Sequence, residues 1–222
     1  MDNTANDVFK RTGLDAPEIS GAMYNAVIGL ALGWGFWVNW WMVKNVPVES
    51  IRAVNPLLFF IGYFAACLLG VYLFNSSRNP AVSFQGYNLV VVPFGLVINL
   101  VVSRYDPGLV AQAMQITGGV TAGMMALGIM FHEFFKKIHF ALTMALLLMI
   151  VVELVQYFVF HTSSGVTDWI VAAIFCGYIG YDWGRANNIP KTVDNAVDSA
   201  AALYMDIINL FLRILRILGR RK

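Results

Sequence analysis

The chain has 222 residues, 59% hydrophobic and only 13% charged, about half the charged share of an ordinary soluble domain; its mean hydropathy is +0.66. A soluble fold cannot give several long charge-free runs a core each, whereas a bilayer hides about 20 apolar residues per spanning helix. The formal net charge of +2 is too small to make nucleic acid a partner, so the composition predicts an all-α membrane protein whose first partner is the lipid bilayer.

The opening stretch, Met1 to Ala22, mixes Asp, Lys, Arg, Glu and Pro and lacks the basic-then-apolar pattern of a signal peptide. It predicts an N-terminal cytoplasmic tail over 1–23, one membrane domain over 24–219 and a basic tail over 220–222. Six hydrophobic segments follow in order: Tyr24–Val43, Leu57–Phe74, Gly86–Val102, Leu109–Phe131, Ile138–Phe160 and Val166–Tyr181. The connections hold turn formers, among them Val46-Pro47, Asn55-Pro56, Asn79-Pro80 and Asp106-Pro107-Gly108. Trp34, Trp37, Trp40 and Trp41 crowd one end of the first segment, as in an interfacial aromatic belt. Gly118, Gly119, Gly123 and Gly128 in the fourth would permit close helix contact. Cys67 and Cys176 lie inside hydrophobic segments far from any metal-ligand spacing and read as small buried hydrophobes. His132 and Glu133, with Lys136 and Lys137, read as an interfacial cluster; His139 and His161 stand alone.

Orientation follows from the loop bases. With the N-terminus inside, the inner loops carry Lys10, Arg11, Arg78, Lys136, Lys137, Arg185 and Lys191, and the outer ones only Lys44, Arg52 and Arg104. Arg220, Arg221 and Lys222 oppose this if the seventh segment crosses fully. Crossing against the rule and re-entry both stay open.

That seventh segment, Ser199–Gly219, places Ser199, Asp206, Asn209, Arg213 and Arg216 on one face and Leu, Ile, Phe and Met on the other. Such a helix either lies flat in the interface or stands inside a bundle with its stripe lining a hydrated path. A stripe holding an acid as well as bases favours the bundle interior.

Two stretches, GYIGYDWGRA (Gly177–Ala186) and ALYMDIINLFLRILRILG (Ala202–Gly219), resemble the Bax inhibitor-1 family, also called the transmembrane Bax inhibitor motif family, and a bacterial-type member within it. The resemblance implies seven transmembrane helices with a central, polar-striped C-terminal helix wrapped by the other six, in a bacterial inner membrane. It also implies a pH-sensitive calcium leak channel in which two aspartates, matching Asp182 and Asp206, pair as the proton sensor. A family arginine, matched by Arg78 in Ser76–Pro80, would be the gate latch. Trp183-Gly184 stands where the family more often has polar residues.

The chemistry suits those residue types. Two adjacent carboxylates in a partly dry site cannot both ionise cheaply, so they titrate as a unit. Ionised, they can hold Arg78 or a divalent cation, and protonation weakens both interactions. Calcium takes oxygen ligands, and two carboxylates fall far short of a tight cage, which fits transient occupancy by a permeant ion. No resident cofactor is expected. The bland alternative pairs Asp182 with Arg185, three residues on.

Glu153, in LLMIVVELVQYFVF, is absent from the family pattern. It lies about 22 Å along the fifth segment from Ile138, and Arg213 about 21 Å along the seventh from Ser199. The matched depths predict a Glu153–Arg213 ion pair, acting as a structural clip or as an outer constriction or second cation site. Beside the channel reading stands a regulatory protein with a membrane-protein partner, acting on a membrane protease or on stress and cell-death signalling. No Gly-x-Ser-x-Gly elbow, His-Glu-x-x-His motif or nucleophile–base pair is present, so no enzyme is expected.

Overall fold

In the computed structural model, residues 17–161 and 164–220 are described. Every regular element among them is an α-helix: α1 (Gly21–Asn45), α2 (Val48–Arg52), α3 (Pro56–Ser76), α4 (Pro80–Val102), α5 (Pro107–Met130), α6 (His132–Phe158), α7 (Gly165–Ala186) and α8 (Val193–Gly219). Most of the tail expected over 1–23, and positions 221 and 222 of the basic tail, lie outside the described residues.

The helices begin where capping chemistry allows, which is often upstream of the apolar run. Asn55, Asn79 and Asp106 each accept a backbone N–H two residues on, at 2.8–3.0 Å. A proline follows each of them at the first helical position, where its missing N–H costs nothing. Ser20 and Ser164 cap α1 and α7 in the same way. The expected segments are thereby corrected at their starts. α4 begins at Pro80 rather than Gly86, α6 at His132 rather than Ile138, and α8 at Val193 rather than Ser199. Hydropathy marks only the greasy part of a helix, while backbone hydrogen bonding runs on through polar turns. His132, Glu133, Lys136 and Lys137 accordingly form the opening of α6.

Five helices, α1, α3, α4, α5 and α6, are long and apolar enough to cross a membrane. At 1.5 Å per residue α7 and α8 are about 33 and 40 Å long, long enough for a hydrocarbon core of about 30 Å. They are also more polar, carrying Asp168, Asp182 and Arg185 on α7 and Asp194, Asp198, Asp206, Arg213 and Arg216 on α8.

The chain divides into two compact units. The first comprises Met1–Arg104 and Asn188–Tyr204, and α4 is its hub, packed on α1, α2 and α3. At the α3–α4 crossing, a Cβ on Gly70 would lie 2.5 Å from the Gly86 carbonyl oxygen and one on Gly86 2.6 Å from that of Gly70. Only glycines let the two backbones come this close. Several of the unit's buried polar groups are paired. The Tyr204 hydroxyl donates to Asn39 Oδ1 at 2.6 Å, Asn39 Nδ2 to the Val91 carbonyl at 3.1 Å, and the Tyr87 hydroxyl to the Ala31 carbonyl at 3.0 Å.

The second unit comprises Tyr105–Asn187 and Met205–Lys222. Here α7 is the hub, packed on α5 and α6. Of the four α5 glycines expected at a close contact, Gly128 alone makes one: it meets the Gly180 backbone, and Gly184 in turn meets Gly128. Nothing lies within 4 Å of a Cβ built on Gly118, Gly119 or Gly123. These three sit on faces of α5 that no neighbouring helix covers.

Candidate functional site

Two charged clusters occupy the second unit, both built between α7 and the C-terminal part of α8. The first contains Asp182, one turn before the end of α7, and Asp206, more than three turns into α8. The two acids lie near enough to act on each other's charge. Asp206 is 7% exposed and the Asp182 side chain 13%. Asp206 Oδ2 is buried, and no described group donates to it.

The surroundings of the pair are aromatic and basic. Arg185 Nη1 lies 3.5 Å from Asp182 Oδ1, and its guanidinium also sits 5.6 Å from the centre of the Tyr181 ring. His139 stacks on that same ring at 4.0 Å, near enough to Asp182 to act on its charge. Tyr178, which donates to Thr143 Oγ1 at 3.0 Å, is electrostatically coupled to both acids. The isolated reading of His139 is therefore corrected: α6 turns it onto the aromatic wall beside the acid pair. Arg185 is the guanidinium that Asp182 contacts. Arg78 lies exposed on the short link between α3 and α4, in the first unit.

The second cluster lies about 21 Å away along α7, at 1.5 Å per residue. Arg213 spans it. Its Nη1 bonds Glu153 Oε1, its Nη2 lies 2.9 Å from Glu153 Oε2, and its Nη1 lies 3.1 Å from Asp168 Oδ1. The guanidinium thus grips Glu153 in a bidentate fork while leaning on a second acid. Arg216 and Arg220 also reach Asp168, at 3.6 and 3.2 Å. Asp168 is 1% exposed, so it is a buried carboxylate compensated by three bases. Among the described residues, three guanidiniums meet these two carboxylates, and such close compensation disfavours a second cation site here.

Sequence reasoning passed over Asp168. An acid in the first turn of a helix is ordinary, because the helix dipole favours it there. The usable signal lay elsewhere: Arg213, Arg216 and Arg220 recur at helical spacing, and one glutamate cannot balance three buried-side bases. Among the described residues, no group of three or more His, Cys, Asp or Glu is placed to hold a metal ion. The two cysteines are free and half-buried.

Comparison with known proteins places the whole described fold in one lineage. Residues 21–222 match the family described as inhibitor of apoptosis-promoting Bax1. The chain is 29% identical over 185 residues to a BI1-like protein of Arabidopsis thaliana, covering 80% of this chain and 71% of the relative. It is 25% identical over 201 residues to the inner membrane protein YbhL of Escherichia coli, covering 83% and 84%. An uncharacterized membrane protein of Vibrio cholerae is 28% identical over 174 residues, covering 75% and 76%. The match spans far more than the two C-terminal stretches that carry the resemblance in the sequence.

Proposed function

The chain belongs to the Bax inhibitor-1 family and is a multi-span membrane protein; from that premise we propose that it is a pH-sensitive calcium leak channel of a bacterial inner membrane, gated by the Asp182–Asp206 pair. In this reading α7 and α8 are the sixth and seventh spans, with the polar stripe of α8 turned inward and lining the path. The observation that carries it is a pair of acids from α7 and α8, near enough to act on each other's charge inside a largely apolar bundle, one of them 7% exposed. Two like charges held close together in a largely dry site repel each other, so the pair gains from taking up either a proton or a cation.

The gate then works by charge. A doubly ionised pair attracts a guanidinium or a calcium ion, offering too few oxygens to retain the ion. Proton uptake weakens both attractions. Arg78 is the proposed latch and Arg185 the base that shares Asp182 with it, so acid frees the latch and calcium flux rises as pH falls. The Glu153–Arg213–Asp168 cluster holds the opposite ends of α6, α7 and α8 together and takes no calcium. No bond chemistry is involved, and calcium is the permeant ion rather than a resident cofactor.

Purified protein in calcium-indicator liposomes tests this. Wild type should leak calcium faster in mild acid than at neutral pH, and Asp206→Asn and Asp182→Asn should each flatten that response. Arg78→Ala should raise the neutral leak. If Asp206→Asn keeps an unaltered, pH-dependent flux, the acid pair is not the sensor. The family description, inhibitor of apoptosis-promoting Bax1, favours a second reading, a regulator acting through a membrane-protein partner. Wild-type liposomes that stay calcium-tight at every pH would select it.

A further inference from the structure

The polar stripe of α8 runs on past the acid pair. Asn209 lies three residues beyond Asp206 and Arg213 seven, so the three share one helix face, with Arg213 about 10 Å from Asp206 at 1.5 Å per residue. Asn209 stays with its own helix, donating to the Met205 carbonyl at 2.8 Å. Arg213 reaches across to two others. Its Nη1 and Nη2 bond the two oxygens of Glu153 on α6, and Nη1 also lies 3.1 Å from Asp168 Oδ1 on α7. The Arg213 side chain is only 13% exposed, so these contacts lie largely out of reach of solvent.

Compensation of the buried acid does not require all of this. Asp168 also meets Arg216 and Arg220, at 3.6 and 3.2 Å, and would keep both if Arg213 were absent. What Glu153 adds is a hold on α6. The bidentate fork fixes the plane of the guanidinium, and two acids on different helices draw it over the stripe. A group anchored in this way cannot yield to a passing ion without first releasing a carboxylate.

We infer that Arg213, drawn across the α8 stripe by Glu153 and Asp168, is a crossbar that closes the far end of the path whose near end the acid pair guards. The inference rests on the reading of that stripe as the cation path. The two ends then work in series: protons act at Asp182 and Asp206, and calcium passes only when Arg213 also lets go of Glu153. A thiol placed between the two ends tests this without measuring flux. In full-length protein carrying Cys67→Ser and Cys176→Ser, Asn209→Cys is offered a membrane-impermeant methanethiosulfonate from one side of the membrane or the other. From the side of the C-terminus, labelling should be slow while the crossbar stands. Glu153→Gln with Arg213→Gln removes the crossbar and leaves Asp168 its other two bases. Labelling from that side at neutral pH should then quicken roughly tenfold or more, the scale of one lost charge-assisted contact. Glu153→Gln alone, which leaves Arg213 on Asp168, should quicken it less. From the opposite side, labelling should quicken in mild acid with or without the crossbar, which reports the acid pair and a folded chain. Loss of that acid response alone would sink the sensor and spare the crossbar. Labelling from the C-terminal side that is equally fast, or equally absent, in wild-type and both variant backgrounds overturns the crossbar whatever acid does.

Discussion

Asp168 draws three guanidiniums within 3.6 Å while only 1% exposed, whereas Glu153, with its side chain 28% exposed, serves Arg213 alone. Removing one partner of a buried pair leaves the other charge stranded and costs about 3–5 kcal/mol. Asp168→Asn should therefore lower the thermal midpoint in detergent clearly more than Glu153→Gln, and the reverse order would show that Glu153 is the anchor. The same geometry decides a charge-swap experiment. A two-member clip would be rescued by combining Glu153→Arg with Arg213→Glu. Here the new glutamate would face Asp168, so the double variant should stay as unstable as the worse single one. Elsewhere, Tyr204→Phe removes the hydroxyl that donates to Asn39 Oδ1, buried with the rest of Asn39 at 4% exposure. An acceptor left bare costs about 1–3 kcal/mol, readable by the same melt. The candidate site was partly legible at this scale. Acids at Asp182, Asp206 and Glu153 stand out because charge inside an apolar run is costly. Asp168 and His139 do not, because one sits at a helix start and the other beside lysines, where polar residues need no explanation.

Helix pairs are set by a few close approaches. Gly128 meets the backbone of Gly180, and Gly184 meets that of Gly128, 2.6 Å from a Cβ built on Gly184. A side chain at Gly128 would strike main chain rather than a flexible side-chain end, so α5 and α7 would have to part. Gly128→Val should cost the 1–3 kcal/mol or more typical of overpacking, while Gly123→Val, with nothing within 4 Å of its Cβ, should be nearly silent. Equal melting of the two variants would show that the crossing is slack. At the scale of elements the sequence reads well in the middle of each helix and poorly at its ends. Hydropathy locates the greasy turns of α4, α6 and α8. It misses Pro80–Gln85, His132–Lys137 and Val193–Asp198, which are helical yet polar. Ser83 shows why such turns persist, since it donates to Asp194 at 2.7 Å. The short α2 carries too few residues for any periodicity. Nor does the α5 glycine run reveal which of its members faces a neighbour, because that depends on where α7 lies.

For the whole molecule, the path of the chain through the bilayer turns on α7 and α8. Lengths of about 33 and 40 Å suffice for two further crossings, and their charges are mostly turned into protein: Asp168, Asp198 and Asp206 are each 9% exposed or less. A charged helix lying flat in the interface would instead present those groups to water. Depth gives an independent check. Glu153 stands about 31 Å from the start of α6 and Arg213 about 30 Å from the start of α8, at 1.5 Å per residue. Asp168, which Arg213 also touches, is in the first turn of α7. Partners late in α6 and α8 and early in α7 meet only if α7 runs antiparallel to the other two, as consecutive membrane crossings do. Seven crossings from an inner N-terminus put residues 187–192 inside and the C-terminus outside, with Arg216 and Arg220 at the outer surface against the positive-inside tendency. In that placement their shared carboxylate, Asp168, would offset the charge they bring. Reporter fusions at 187–192 and at the C-terminus should therefore report opposite sides, inside and outside. Five crossings would put both outside, and a re-entrant α8 both inside. Either result would return the polar stripe of α8 to the interface and remove the path on which the calcium reading depends.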